Sequence, residues 1–132
     1  MILGLGTDII AVPRIERVIK SNPRFIEKVF SSKEQQYCSG KANPAQSYAA
    51  RFAAKEAFMK ALGTGWDEGI SWAEIEVIND AKGKPSISLS GSTQALAQSR
   101  GPQKIHLSLS HEKDYAIATV ILEKEDLLCP AE

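Results

Sequence analysis

Arg51-Phe52-Ala53-Ala54-Lys55-Glu56-Ala57-Phe58-Met59-Lys60-Ala61-Leu62 is the stretch on which the reading of this 132-residue chain turns. Asn43-Pro44 ahead of it supplies a helix start and Gly63-Thr64-Gly65 behind it a stop. The expected element is one long alanine-rich helix from about Ala45 to Leu62. On a helical wheel Ala50, Ala54, Ala57, Phe58 and Ala61 share one face, and side chains that small let a helix lie close against a sheet. The charged residues border that face, Glu56 and Lys60 along one edge, Arg51 and Lys55 along another. Two readings of them stand side by side. Glu56 and Lys60 form an i,i+4 ion pair on a solvated face, or all four charges point into a cleft, with a carboxylate for a divalent cation and cations for phosphates.

Toward the N-terminus, Ile2 to Ile10 reads as a strand with Leu3, Leu5 and Ile9 on one face and Gly4, Gly6 and Asp8 on the other. The two glycines leave room over their face for a ligand or another backbone. Asp8 stands at the end of this apolar strand. It either caps the turn before Pro13 or serves as a metal ligand at a strand's C-terminal end. Pro13 starts an amphipathic helix striped by Ile15, Val18 and Ile19, Pro23 opens a second through Phe30, and Ser31-Ser32-Lys33-Glu34 has capping-box spacing for a third. Beyond the central helix, Ile75 to Ile78 and Ser86 to Leu89 read as strands joined by Asp80-Ala81-Lys82-Gly83-Lys84-Pro85. Thr93 to Ser99 reads as a short helix, and Lys104 to Ser110 and Tyr115 to Leu122 as two further strands. The pattern is α+β: an N-terminal strand, helices including the long one, then mostly antiparallel strands, in a single domain over residues 1–132.

Composition excludes several classes. Lysine plus arginine and aspartate plus glutamate each number 16, so the chain as a whole lacks the basic footprint of a nucleic-acid binder. Charge is uneven locally. Arg14, Arg17, Lys20, Arg24 and Lys28 face only Glu16 and Glu27, while the tail from Glu123 to Glu132 is acidic. Cys38 and Cys129 are far apart, and His106 and His111 are the only histidines, too few at short spacing for a zinc site. Both cysteines read as free thiols in a reducing compartment. Met1 to Leu5 lacks the basic flank of a signal peptide, and no apolar run approaches the ~20 residues of a membrane span. The expectation is a soluble cytoplasmic protein with neither nucleic acid nor membrane as partner. Gly4-Leu5-Gly6 is no dinucleotide fingerprint, because the third glycine and the following helix are missing.

Five motifs occur in order: Gly6-Thr7-Asp8-Ile9; Arg51 to Ala57 continuing through Lys60-Ala61-Leu62-Gly63-Thr64-Gly65; Gly83-Lys84-Pro85; Ser108-Leu109-Ser110-His111; and Tyr115-Ala116. Together they resemble the holo-acyl-carrier-protein synthase family, the small trimeric class of 4′-phosphopantetheinyl transferases, over roughly Ile2 to Leu122. The resemblance implies attack by a carrier-protein serine on the β-phosphorus of coenzyme A with release of 3′,5′-ADP, a reaction of fatty acid biosynthesis. In such phosphoryl-type chemistry, catalysis is mainly positioning and charge stabilisation.

By that resemblance Asp8, Glu56 and Lys60 are catalytic. Asp8 and Glu56 hold Mg²⁺, Lys60 contacts the pyrophosphate, and Glu56 or a metal-bound water deprotonates the serine. Coenzyme A binding falls to Arg51, Lys60, Gly63, Gly83, Pro85, Ser110 and His111, with Arg51, Ser110 and His111 near the adenosine and its 3′-phosphate, in sites shared between subunits of a homotrimer. The acidic carrier protein is drawn to Arg14, Arg17 and Arg24, with Ile15, Val18 and Phe25 for apolar contact; a merely solvated amphipathic helix is the competing reading. Glu34 stands where relatives carry an acid given a base role, although helix capping accounts for it too. His111 is a phosphate contact or a loop residue, and His106 an outward strand residue. Lys82 and Glu112 depart from the family pattern and receive no role. The alternative function is an oligomeric module that binds coenzyme A or another nucleotide without transfer.

Overall fold

A computed structural model describes residues 1–65, 68–102 and 104–126. Strand β1 (Ile2–Ala11) pairs antiparallel with β5 (Tyr115–Glu123), which pairs antiparallel with β4 (Lys104–His111), so the sheet order is β1-β5-β4. Between them come α1 (Val12–Ser21), α2 (Arg24–Val29), α3 (Ser32–Ser39) and the long α4 (Pro44–Leu62). A hairpin of β2 (Ile75–Asn79) and β3 (Pro85–Leu89) and a helix α5 (Gly91–Arg100) complete the order. The expected α+β succession is the observed one. One boundary matters: β1 runs on to Ala11 because Ile9, Ile10 and Ala11 keep their pairing with Ile117, Ala116 and Tyr115. Asp8 therefore lies inside the strand opposite Ala118, not at its end. Nor does it cap the next helix, whose N-cap is Ala11 without a side-chain bond.

Helix α4 packs across β1 and β5. A Cβ added to Gly4 would lie 2.0 Å from the Ala61 carbonyl oxygen, and one added to Gly6 would lie 2.0 Å from that of Ala57. Of the two occupants the glycine face allowed, it is another backbone that takes the space. From β5, Ala116, Ala118, Val120 and Leu122 point into the same layer and are fully buried. Because a strand alternates, this turns Leu3, Leu5 and Ile9 outward, where with Tyr115 and Ile117 they form an exposed apolar face on the three-stranded sheet.

Cys38 is buried and unpaired, and burial first of all pushes its thiol up to about 11; Cys129 and Glu132 lie outside the described residues. The capping box of α3 forms as expected, with Ser31 Oγ accepting from Glu34 N and Glu34 Oε1 accepting from Ser31 N. Glu34 does more than cap. It is 1% exposed, its Oε1 accepts from Lys55 Nζ at 2.7 Å, and its Oε2 accepts from Val77 N at 3.1 Å. Lys55 also donates to the carbonyls of Trp72 and Ile75. Of the two readings of the helix charges, the one that sends Lys55 into a phosphate cleft does not hold: its ammonium is enclosed, neutralised by Glu34, and ties α4 to α3 and β2. Burial lowers the Lys55 pKa, against the pull of Glu34.

Removing one member of a buried ion pair strands the other charge. Lys55→Met should therefore cost roughly 3–5 kcal/mol of unfolding free energy, and Glu34→Gln/Lys55→Met should recover part of it. Chemical denaturation measures both; a loss below about 1 kcal/mol for the single variant would show that the pair does not anchor the helix.

Candidate functional site

The close approach of β1 and α4 brings together side chains 48 or more residues apart in sequence, since Asp8 follows Gly6 by two residues and Glu56 precedes Ala57 by one. Lys60 Nζ donates to Asp8 Oδ1 at 3.0 Å and to the Thr7 carbonyl at 3.1 Å. The ammonium thus reaches across to the strand. Glu56 is half-buried, and its carboxyl is pushed above the ordinary carboxylate range, by burial first and by the charge of Asp8 second; Lys60 and Arg14 oppose the shift. Asp8, Glu56 and Lys60 are therefore gathered as the sequence reading expected. Arg14 joins them electrostatically, which that reading, having given it only a docking role, did not foresee.

A carboxyl whose proton affinity is raised by a neighbouring carboxylate marks a site short of positive charge. Among the described residues no third His, Cys, Asp or Glu completes a metal-holding group. The pair suits a hard cation such as Mg²⁺, which is commonly held by one or two carboxylates with substrate phosphate oxygens filling the remaining positions.

A second constellation lies near the middle of α4, on the N-terminal side of the first. Arg51 and Lys60 are nine residues apart, about 13 Å along the helix axis. Arg51 is buried, its Nη2 donates to Asn79 Oδ1, and its guanidinium carbon lies 4.1 Å from the Tyr37 ring centroid. Its Nε is buried without a hydrogen-bond partner among the described residues. A stranded buried donor typically costs ~1–3 kcal/mol, which an arriving acceptor relieves. Tyr37, Ser47, Arg51, Gly83, Pro85 and His111 line a cleft of about 220 Å³. Four of the residues assigned to coenzyme A (Arg51, Gly83, Pro85 and His111) thus meet within one chain. Ser110 does not join them. It points to the outward face of β4, over a shallow hollow with Ile9, Tyr115 and Ile117 that only His111 shares with the Arg51 cleft. Gly63 closes α4 in the left-handed conformation at φ 75°, beyond Lys60 and away from Arg51.

On the proposed docking surface Arg14, Arg17 and Arg24 are exposed and Val18 is half-buried. Phe25 packs against Phe30 and Phe52 and lines a cleft of about 270 Å³ with Arg24, Lys28 and Trp72. Ile15 is a correction: at 2% exposure it belongs to the core, because the apolar stripe of α1 faces α4, and it offers nothing to a partner. His106 is the outward strand residue expected, bonded to Glu123 at 2.9 Å.

The raised Glu56 pKa has a definite sign in stability. A carboxyl that holds its proton more tightly when folded opposes folding once pH exceeds its unfolded value, roughly 4.3. Without divalent metal, Glu56→Gln should therefore raise the melting temperature at neutral pH and lose that advantage as pH falls toward the unfolded value. A lower melting temperature at neutral pH would contradict the placement of Glu56 beside Asp8.

A sequence profile described as the 4′-phosphopantetheinyl transferase superfamily matches residues 4–120. The holo-[acyl-carrier-protein] synthase of Geobacter metallireducens is 48% identical over 125 residues, covering 94% of this chain and 99% of the relative. Among solved structures, the holo-[acyl-carrier-protein] synthase of Neisseria meningitidis superposes with a TM-score of 0.87 at 36% identity, covering 94% of this chain and 100% of that one. The enzyme of Bacillus anthracis, solved in complex with CoA (3′,5′-ADP), gives 0.79 at 38% identity, covering 95% and 99%. Carboxylates on β1 and α4, an arginine-lined cleft and these matches over nearly the whole length agree: the chain belongs to the holo-acyl-carrier-protein synthase family of the 4′-phosphopantetheinyl transferase superfamily.

Proposed function

We propose that the chain, as one domain over residues 1–132, transfers the 4′-phosphopantetheine arm of coenzyme A to a serine hydroxyl of an apo-acyl carrier protein, releasing 3′,5′-ADP, in a Mg²⁺-dependent reaction of fatty acid biosynthesis. The observation that carries this reading is the joining of Asp8, Glu56 and Lys60 by the β1–α4 contact in a chain whose relatives are named for that activity. The serine oxygen attacks the β-phosphorus, and the bond to the oxygen of the departing 3′,5′-ADP breaks. Glu56 accepts the serine proton, directly or through a water beside it. Lys60, exposed at the edge of the site, turns from Asp8 toward the pyrophosphate and balances charge on it. Asp8 and Glu56 would hold Mg²⁺, which when bound neutralises charge developing on the pyrophosphate oxygens. Arg51, Gly83, Pro85 and His111 take the adenosine 3′-phosphate end.

Along α4 Arg51 precedes Glu56 by about 7.5 Å and Lys60 by about 13.5 Å, and the sheet face carrying Leu3, Leu5, Ile9 and Ile117 is uncovered in the single chain. A contiguous exposed apolar face supports association, and the reading includes a homotrimer whose sites combine the Asp8 cluster of one subunit with the Arg51 cleft of the next. Exposed Arg14, Arg17 and Arg24, with Val18 and Phe25 beside them, receive the acidic carrier protein. A cytoplasmic location accords with the unpaired Cys38 and with the absence, among the described residues, of a helix long and apolar enough to cross a membrane.

The test is to incubate the protein with coenzyme A, Mg²⁺ and apo-carrier protein and weigh the carrier by mass spectrometry. The carrier should gain the mass of phosphopantetheine, and Asp8→Ala should reduce the rate by roughly a hundredfold or more while abolishing its Mg²⁺ dependence. No added mass with the wild type refutes the transfer reading. Unchanged Mg²⁺ dependence in Asp8→Ala removes Asp8 from the site.

A further inference from the structure

Arg51 and Lys55 lie one turn apart on α4 and carry the same charge, yet their surroundings differ in kind. Lys55 is matched by a carboxylate, Glu34. Arg51 is equally withdrawn from solvent, but the ion pairs among the described residues all lie elsewhere, and the groups that hold it are neutral. Asn79 Oδ1 accepts from Nη2 and the Tyr37 ring stacks on the guanidinium. Asn79 has a second bond: its Nδ2 donates to the Gly83 carbonyl at 3.0 Å. Gly83, at φ 87°, belongs to a turn that Asp80 fixes by accepting from the backbone amides of Lys82 and Lys84, both at 2.9 Å. One amide therefore ties the guanidinium on α4 to the hairpin turn that forms the opposite wall of the cleft.

We infer that Asn79 and Tyr37 are positioning residues for anion recognition by Arg51: they fix its guanidinium without neutralising it, leave its charge uncancelled for a phosphate monoester, and couple it to the Gly83 wall. This deepens the proposed function and rests on its assignment of the 3′-phosphate of coenzyme A to this cleft. A carboxylate in the place of Asn79 would hold Arg51 as firmly but cancel its charge, and would turn the donor facing the Gly83 carbonyl into a second acceptor. The neutral amide meets both requirements. An aromatic face likewise holds a guanidinium while leaving its N–H groups free to donate in the plane.

The experiment is steady-state transfer kinetics with coenzyme A and with 3′-dephospho-coenzyme A for the wild type, Asn79→Asp, Asn79→Ala, Tyr37→Leu and Tyr37→Phe. Asn79→Asp should raise the KM for coenzyme A by roughly ten- to a hundredfold, with the loss falling on KM rather than kcat and with a much smaller change for the dephospho substrate. Asn79→Ala and Tyr37→Leu should show the same substrate-selective loss to a lesser degree, and Tyr37→Phe, which keeps the ring, should restore the discrimination that Tyr37→Leu loses. Equal losses on both substrates in every variant would make the residues merely structural and overturn the inference. Unaltered discrimination in Asn79→Asp would overturn it too. A wild type that uses both substrates equally, while still transferring, would instead refute the 3′-phosphate assignment on which the inference rests.

Discussion

Two missing side chains set the geometry of this molecule. With hydrogen alone at Gly4 and Gly6, β1 lies so close to α4 that the carbonyls of Ala61 and Ala57 occupy the space where Cβ atoms would be. Backbones that near each other place any polar side chain on the shared border within reach of its counterpart. Asp8, two residues beyond Gly6, and Glu56 and Lys60, flanking Ala57, are those side chains. The same approach decides which face of β1 is inward, and leaves Leu3, Leu5 and Ile9 on the other. The meeting of Asp8, Glu56 and Lys60 and an outward apolar sheet face are two consequences of one packing constraint.

The charges along α4 then acquire distinct roles from distinct partners. Lys55, enclosed and matched by Glu34, fixes the helix against α3 and β2. Arg51, held by an amide and an aromatic ring, keeps its charge uncancelled. Lys60 remains exposed and leans on Asp8. Glu56, pressed by burial and by Asp8, holds its proton more tightly than an ordinary carboxylate. Helical periodicity puts these residues at related angles, but burial and partner chemistry separate structure from function.

Most of the fold was legible in the sequence because its signals are local. Asn43-Pro44 and Gly63 mark the ends of α4, Ser31 and Glu34 make a capping box, and alternation marks the strands. The Asp8–Glu56–Lys60 group was legible through ordered motifs more than through local chemistry, which left ion pairing and capping open. What escaped the sequence reading was non-local. Nothing in the spacing of Arg51 and Lys55 says which will find a carboxylate, since Glu34 and Asn79 arrive from α3 and β2. Ile15 was misread as a surface residue because a helical stripe does not declare whether it faces the core or a partner. Likewise α5 begins two residues earlier than expected because Glu74, from a separate segment, accepts from Ser92 Oγ and Thr93 N at its start.

The central claim is that the β1–α4 contact places Asp8 and Glu56 close enough to act as one site. The most direct measurement is the side-chain carboxyl titration of Glu56 by NMR, without divalent metal, in the wild type and in Asp8→Asn. The account predicts a wild-type midpoint above the ordinary glutamate value of roughly 4.3 and a fall part-way toward it in Asp8→Asn, the remainder being the effect of burial. An ordinary midpoint in the wild type, or one that does not move when the Asp8 charge is removed, would contradict it.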